Sequence, residues 1–341
     1  MMAVRRQQQR PTLESVARAA AVSRQTVSNV LNAPHLVRAG TRHRVEAAIT
    51  AAGYRPVKAA QILRTRRSHL IAAGIPAPAT HSGEVVDAFL QALTGAAQQL
   101  GYRILLVSAG DDATEISAYD GLLREYDLDA FVLTGTHTGD KRTAWLLGQR
   151  VPFVTFGRPW GGGARHPWVD VDGAAGVHAA TSHLIAAGHR RIAFLGWPQG
   201  SGVGEDRLSG WEQSCRAAGL PTAGLVCRME QELAEGRAAC ARLLDTPQPP
   251  TAFVCVSDEI ALGAWTELTA RGLVPGRDAA VTGFDDSWAA AVTGLTSVAQ
   301  PLTEVAAACL GALDALLAKP GGRRSPAQVL LQPRLVVRSS A

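Results

Sequence analysis

Apolar residues fall along this chain with two different rhythms. Across residues 12–32, TLESVARAAAVSRQTVSNVLN, they sit at Leu13, Val16, Ala17 and Ala20, and again at Val27, Val30 and Leu31. Spacings of three and four belong to one face of a helix, so the break at Ala21-Val22 predicts two short helices joined by a tight turn. Thr12 and Ser23 each precede an apolar run, and each can cap its helix with a hydroxyl. Residues 34–40 predict a loop. Thr41 can then cap a third helix over 42–52, with Val45, Ala48, Ile49 and Ala52 on one face and Gly53 as its stop. Leu13, Val16, Val27, Val30, Val45 and Ile49 would close a small three-helix core.

From Leu70 the rhythm changes. Strands are expected at 70–75 (LIAAGI), 104–108, 130–135 and 153–157, separated by helices at 85–100, 115–126 and 144–149. A second series has strands at 191–196, 252–257 and 280–284, with helices at 173–187, 207–218, 233–244 and 259–271. Strand–helix alternation of this kind argues for parallel sheets with helices on both faces. Two such series make a clamshell, and QVLLQPRLVVRSSA at the C-terminus would supply a closing strand.

Composition changes this picture mainly through charge. The 341 residues carry a net charge of only +5, yet residues 1–69 hold 13 Lys/Arg against two acids, Glu14 and Glu46, for +11, and the rest comes to −6. One end is a polyanion binder by charge; a merely solvated basic face would not need so sharp a segregation. In a helix-turn-helix the second helix enters a major groove and offers its N-terminal residues to base edges. Here those are Arg24 and Gln25, a guanidinium and an amide able to bond base edges in pairs. A plain helical hairpin in a small core is the structural alternative.

Other classes are disfavoured. Apolar runs are short, so no membrane span is expected. The basic N-terminus lacks the apolar segment of a secretory signal. The five cysteines show no ligand spacing and read as reduced thiols of a cytoplasmic protein. No GxSxG, P-loop or His-rich cluster is present, so neither an enzyme, a metal nor a cofactor is expected. The pairs Asp170/Asp172 and Asp285/Asp286 could in principle flank a glycosidic bond, but helix capping accounts for them.

TLESVARAAAVSRQTVSNVLN, TRHRVEAAITAAGYRP and AAQILR together closely resemble the LacI/GalR family of bacterial repressors. VDVDGAAGVHAATSHLIAAGHRRIAFLG, TAFVCVSDEIALGAW and AAVTGFDDSWAA resemble its effector domain. The resemblance implies an all-α helix-turn-helix DNA-binding domain plus an α/β two-lobed periplasmic-binding-protein-like effector domain. Its boundaries would be a mobile tail at 1–10, the DNA-binding domain at 11–56, a hinge helix and linker at 57–68, and the effector and dimerisation domain at 69–341. It implies phosphate contacts at Thr12 and Ser23, base contacts at Arg24 and Gln25, and a DNA-facing set completed by Thr26, Ser28, Asn29 and Thr41. It also implies that Leu63, followed by Arg64, wedges into the minor groove, where an apolar wedge unstacks and kinks the duplex.

In open α/β sheets a ligand sits beyond the carboxyl ends of the strands. The residues to test there are Ser257-Asp258, Asp285-Asp286, Gly157-Arg158, Asp170 and Asp172, with Arg207 opening a helix. By the resemblance, Arg207 and Asp285 hold sugar hydroxyls and Asp172 lies near the ligand, although Asp172 also suits a helix N-cap. Ser257 stands where sugar-binding relatives often have Asn. Trp160 and Trp168 could each stack on a pyranose or pack in a core; Trp197 and Trp288 are weaker candidates. The expected protein is a homodimeric transcription regulator, a repressor by family habit. It would bind a pseudo-palindromic double-stranded DNA operator under the control of a small sugar or glycoside. No Leu heptad follows residue 336, which favours a dimer over a tetramer. The alternative is a sugar-capture protein of a transport system, opposed by the missing secretory signal and the basic head.

Overall fold

The computed structural model describes residues 11–54, 67–76, 83–163, 165–318 and 326–341. The chain forms two compact units, Met1–Ser68 and His69–Ala341. The expected tail at 1–10 and hinge helix at 57–63, with Leu63 and Arg64, lie outside the described residues.

In the first unit, α1 (Leu13–Ala19) starts at a capping box: the Thr12 hydroxyl accepts from the Ser15 amide while the Ser15 hydroxyl takes the Thr12 amide. Ala21 turns the chain with φ of 52°, and Ser23 caps α2 (Arg24–Asn32) through the Thr26 amide. α3 spans Ala39–Ala52 and ends on Gly53 at φ of 59°. Thr41 is therefore not its cap. A cap residue has non-helical backbone, and that position belongs to Arg38, whose side chain makes no capping bond. A short 3-10 turn at Pro34–Leu36 feeds the helix three residues earlier than the apolar spacing alone implies. Val16, Ala17, Ala20, Val27, Val30, Val45 and Tyr54 are buried together, with Leu13 and Ile49 packed against them.

The second unit has two lobes. One sheet contains β1 (Leu70–Pro76), β2 (Arg103–Ala109), β3 (Ala130–Leu133), β4 (Phe153–Phe156), β5 (Trp168–Val171) and β11 (Gln328–Leu331), in the order β11-β5-β4-β3-β1-β2 and all parallel. Helices α4 (Gly83–Gln99), α5 (Asp112–Glu125), α6 (Lys141–Gln149) and α12 (Leu302–Ala318) accompany it. The other sheet contains β6 (Ile192–Gly196), β7 (Val226–Arg228), β8 (Ala252–Cys255), β9 (Ala280–Asp285), β10 (Thr296–Ala299) and β12 (Arg334–Val336), ordered β12-β10-β9-β8-β6-β7. Only β12 runs antiparallel in it. Its helices are α7 (Gly173–Ala186), α8 (Gly202–Ala217), α9 (Leu233–Leu244), α10 (Asp258–Ala270) and α11 (Trp288–Thr293).

The order of elements makes the chain pass between lobes three times, after β5, after β10 and after β11. The ends of β5 and β10 border the crevice, Val171 lining one of its cavities and Gln300 both, which is where such sheets place a ligand. α7 and α8 pack so closely that a Cβ on Gly210 would lie 2.1 Å from the Ala174 carbonyl oxygen.

Three sequence expectations need correction. The C-terminal segment supplies two strands, one to each sheet, because Gln332-Pro333 separates β11 from β12 and proline cannot continue a ladder. Arg207 does not open its helix; Ser201 caps α8 and Arg207 sits in the second turn. β5, β7, β10, α11 and α12 are elements the sequence expectations did not include.

Candidate functional site

On α2, Val27 and Val30 face the core. Arg24 and Gln25 are exposed at the opposite side of the first turn. Gln25 Nε2 donates to Asn29 Oδ1 at 2.9 Å, and Arg24 lies 3.5 Å from Glu14. Contacts this exposed contribute little, so the head presents a guanidinium and amides that a duplex can take over. Thr12 and Ser23 stand at the N-termini of α1 and α2, where amides and helix dipole favour phosphate. Thr26 shares a hydrogen bond with the Ser23 hydroxyl, Ser28 lies one turn on beside Asn32, and Thr41 is in the first turn of α3.

In the second unit, two adjoining cavities of about 350 and about 230 Å³ occupy the crevice and share Val85, Trp197, Arg207 and Gln300. Arg207 is the pivot. It is 5% exposed, its Nη1 donates to the Val256 carbonyl at 2.5 Å, and its Cζ lies 3.5 Å over the Phe284 ring and 5.2 Å from that of Trp197. Its Nη2 is 3.9 Å from Asp285, and its Nε has no protein partner. Burial pulls its pKa down, while Asp285 and then Asp170, Asp206 and Asp258 oppose that pull.

Asp285 ends β9 with φ of 117° and Asp286 follows at 54°, backbone values that non-glycine residues rarely hold and that cluster at functional sites. Gln300 Nε2 donates to Asp285 at 2.7 Å. Burial pushes the Asp285 carboxyl up to about 7 although Arg207 counters it. Asp286 is paired with Arg338 at 2.6 Å, and Asp258 accepts from the Ser297 hydroxyl and the Ser287 amide.

The other expected ligand residues divide. Trp160 lines the smaller cavity, and its indole N–H is buried without a partner. Trp168 lies on β5 and lines neither cavity. Asp172 caps α7 through the Ala175 amide and accepts from Gln332. Ser257 is fully buried, caps α10, and donates to Gln231, which itself lines the larger cavity.

Arg158 is committed elsewhere. Its Nε donates to Asp170 at 2.6 Å and its Nη2 to Asp206 at 3.1 Å, so it ties β5 of one lobe to α8 of the other. Nearby, the Trp160 ring covers Gly202, where a Cβ would come within 2.1 Å of it. Across the crevice the Trp288 amide donates to Glu84 at 2.8 Å. The lobes are thus bridged on both sides of the cavity. Glu84, Gln231, Gln300 and Asp206 were absent from the sequence candidates; Asp206, adjacent to Arg207, carried the clearest hint.

Among the described residues, one His/acid cluster could in principle hold a cation: Asp112, His137 and Asp140. Arg142 already fills that role, 2.7 Å from Asp140 and 3.5 Å from Asp112, while the Lys141 amide takes the second Asp112 oxygen.

Comparison with known proteins bears on both units. Residues 12–57 match the model of bacterial regulatory proteins, lacI family, and residues 181–341 match a periplasmic binding protein-like domain. The HTH-type transcriptional regulator CelR of Thermobifida fusca is 34% identical over 97% of this chain and 98% of its own length. A solved complex of transcriptional regulator CelR with cellobiose superposes with a TM-score of 0.73, at 31% identity, covering 97% of this chain and all of that one. The lac repressor dimer bound to operator and the anti-inducer ONPF gives 0.83, at 26% identity, covering 97% of this chain and 99% of that one.

Proposed function

Because the chain belongs to the lacI family of bacterial regulatory proteins, it is a DNA-binding transcription regulator, and we propose that it is a repressor controlled by a sugar or glycoside held between its lobes. It acts by binding, in the cytoplasm, as a homodimer on a pseudo-palindromic operator. α2 reads bases through Arg24 and Gln25, and Thr12 and Ser23 hold phosphates. The similarity of nearly the whole chain to a solved CelR–cellobiose complex and to an operator-bound lac repressor dimer supports a sugar effector, operator DNA and a dimer.

The observation that carries the effector half is Arg207. A buried guanidinium whose Nη2 lies 3.9 Å from Asp285, with both residues lining the larger cavity, sets a donor beside an acceptor. That pairing suits vicinal hydroxyls, each of which donates and accepts. Asp172, Ser257 and Arg158 serve this site at one remove, by capping helices and bridging lobes. The sugar-capture alternative is set aside, since the relatives matched over nearly the whole chain are regulators.

The test of the DNA half is selection of preferred sequences from a random duplex pool, repeated with Arg24→Ala and Gln25→Ala. Each variant is expected to relax base choice by about 1–3 kcal/mol at one position of a half-site. Thr12→Ala is expected to weaken all sequences alike. Unaltered preference in both α2 variants would remove α2 from the base-reading role.

A further inference from the structure

The two bridges between the lobes differ in kind. On one flank a single contact spans the gap, from the Trp288 amide to the exposed carboxylate of Glu84. On the other, every nitrogen of the Arg158 guanidinium is engaged. Nε donates to Asp170 and Nη2 to the Val171 carbonyl at 3.3 Å, both on β5, while Nη1 and Nη2 reach the two oxygens of Asp206 on α8 at 3.4 and 3.1 Å. The Asp206 carboxylate also accepts from the Ala174 amide in the first turn of α7 at 3.1 Å. The side chains here are largely out of water, 22% exposed for Arg158, 15% for Asp206 and 10% for Asp170. A bidentate guanidinium–carboxylate pair fixes geometry as well as charge. Removing one partner from so dry a place leaves the other charge uncompensated. An exposed single hydrogen bond, by contrast, exchanges with water at little loss.

The stronger bridge lies where the chain first passes between the lobes, through Asp172 and Gly173. The passage has no slack: a Cβ on Gly173 would lie 2.9 Å from Asp206 Oδ2 and 3.0 Å from Arg207 Cγ. Three carboxylates converge on Arg158, those of Asp170, Asp206 and Asp172. Burial raises the Asp206 carboxyl, and Arg158 is the first group to oppose that rise. Arg207, the adjoining cation, turns instead to the Val256 carbonyl and the Phe284 ring. Without Arg158, Asp170 of one lobe and Asp206 of the other would face each other as like charges.

We propose that the Arg158–Asp206 pair is a latch that favours one arrangement of the lobes independently of any effector, and that this latch sets the operator affinity of the free protein. The Glu84 contact is then the flank that gives way when the lobes turn. The proposal rests on the reading that lobe arrangement governs the DNA-binding head, and on no particular effector. Arg158 and Asp206 are positioning residues: neither reads DNA, and each acts on it through the population of the two arrangements.

Fluorescence anisotropy of the duplex selected from the random pool, titrated with the full chain at fixed salt and with no saccharide present, tests this. Asp206→Asn keeps an oxygen for the Ala174 amide and removes the charge that pairs with Arg158. Arg158→Met keeps an apolar stem and removes the guanidinium. Each is expected to change the operator Kd at least about fivefold, both in the same direction. The double variant is expected to change it no more than the larger single one, because two groups acting as one pair do not add. Arg158→Lys keeps the charge and loses the fork, and is expected to fall between wild type and Arg158→Met. Arg271→Met is the control. Arg271 is 31% exposed and pairs with Asp245 and Glu267 inside one lobe. Its loss is expected to leave the operator Kd within about twofold. Thermal melting establishes that each protein compared is folded. A wild-type Kd in folded Asp206→Asn, opposite directions in the two single variants, full additivity in the double variant, or an equal change in Arg271→Met would each overturn the proposal and leave an effector-controlled regulator standing. No preference of the wild-type chain for any duplex would overturn both.

Discussion

Asp285 concentrates the chemistry of the effector cavity in one side chain. It is held in a left-handed backbone conformation, faces Arg207, and keeps its proton up to about pH 7 because burial outweighs the nearby guanidinium. An unfolded aspartate releases that proton near 3.8. Between these two values the folded state binds more protons than the unfolded one, so the contribution of Asp285 to stability falls as pH rises from about 4 to about 7 and is level above. Asp285→Asn carries no such proton. Thermal melts across this range are expected to show a smaller loss with rising pH in the variant, with a residual slope from Asp258, which burial also raises. Equal slopes in both proteins would place the proton elsewhere.

At the scale of elements, the close approach of α7 and α8 sets where Arg207 points. Gly210 permits it, because a Cβ there would meet the Ala174 backbone rather than a side chain able to move. Gly210→Val is expected to cost about 1–3 kcal/mol in denaturant unfolding of the second unit, as overpacking does, and to weaken sugar binding. An unchanged midpoint would show that the helices separate freely. The elements legible in the sequence are those whose apolar period runs for a turn or more and ends on a cap, as α1 and α2 do at Thr12 and Ser23. β3, β4 and β8 are just as short but read as near-continuous apolar runs, whereas β5 (WVDV), β7 (VCR) and β10 (TSVA) are broken by polar residues and leave no run to read. The start of α3 was hidden because Arg38 begins it without a capping side chain, while Thr41 imitates a cap from inside the helix. In the cavity, Arg207 and Asp285 were legible through motifs that resemble a family. Glu84 and Gln300 were not, because they come from the start of one lobe's helix and from a segment passing between lobes, and only the fold brings them together. Arg158 read as a ligand contact because its partner Asp206 lies 48 residues away on the other lobe.

The molecule as a whole joins a basic head to a crevice bridged on both flanks, by Arg158–Asp206 with Trp160 over Gly202, and by Glu84 with the Trp288 amide. A ligand that bonds Arg207 and Asp285 between these bridges favours one lobe arrangement over another. It can change DNA affinity only by as much as its own affinity differs between the two arrangements. The most direct test is fluorescence anisotropy of the selected operator duplex, titrated with the full chain at fixed salt, with and without a saturating saccharide that calorimetry shows to bind. Operator affinity is expected to change by at least about fivefold when the saccharide is present, and by a negligible factor in Arg207→Ala. The same operator Kd with and without a bound saccharide would contradict the account.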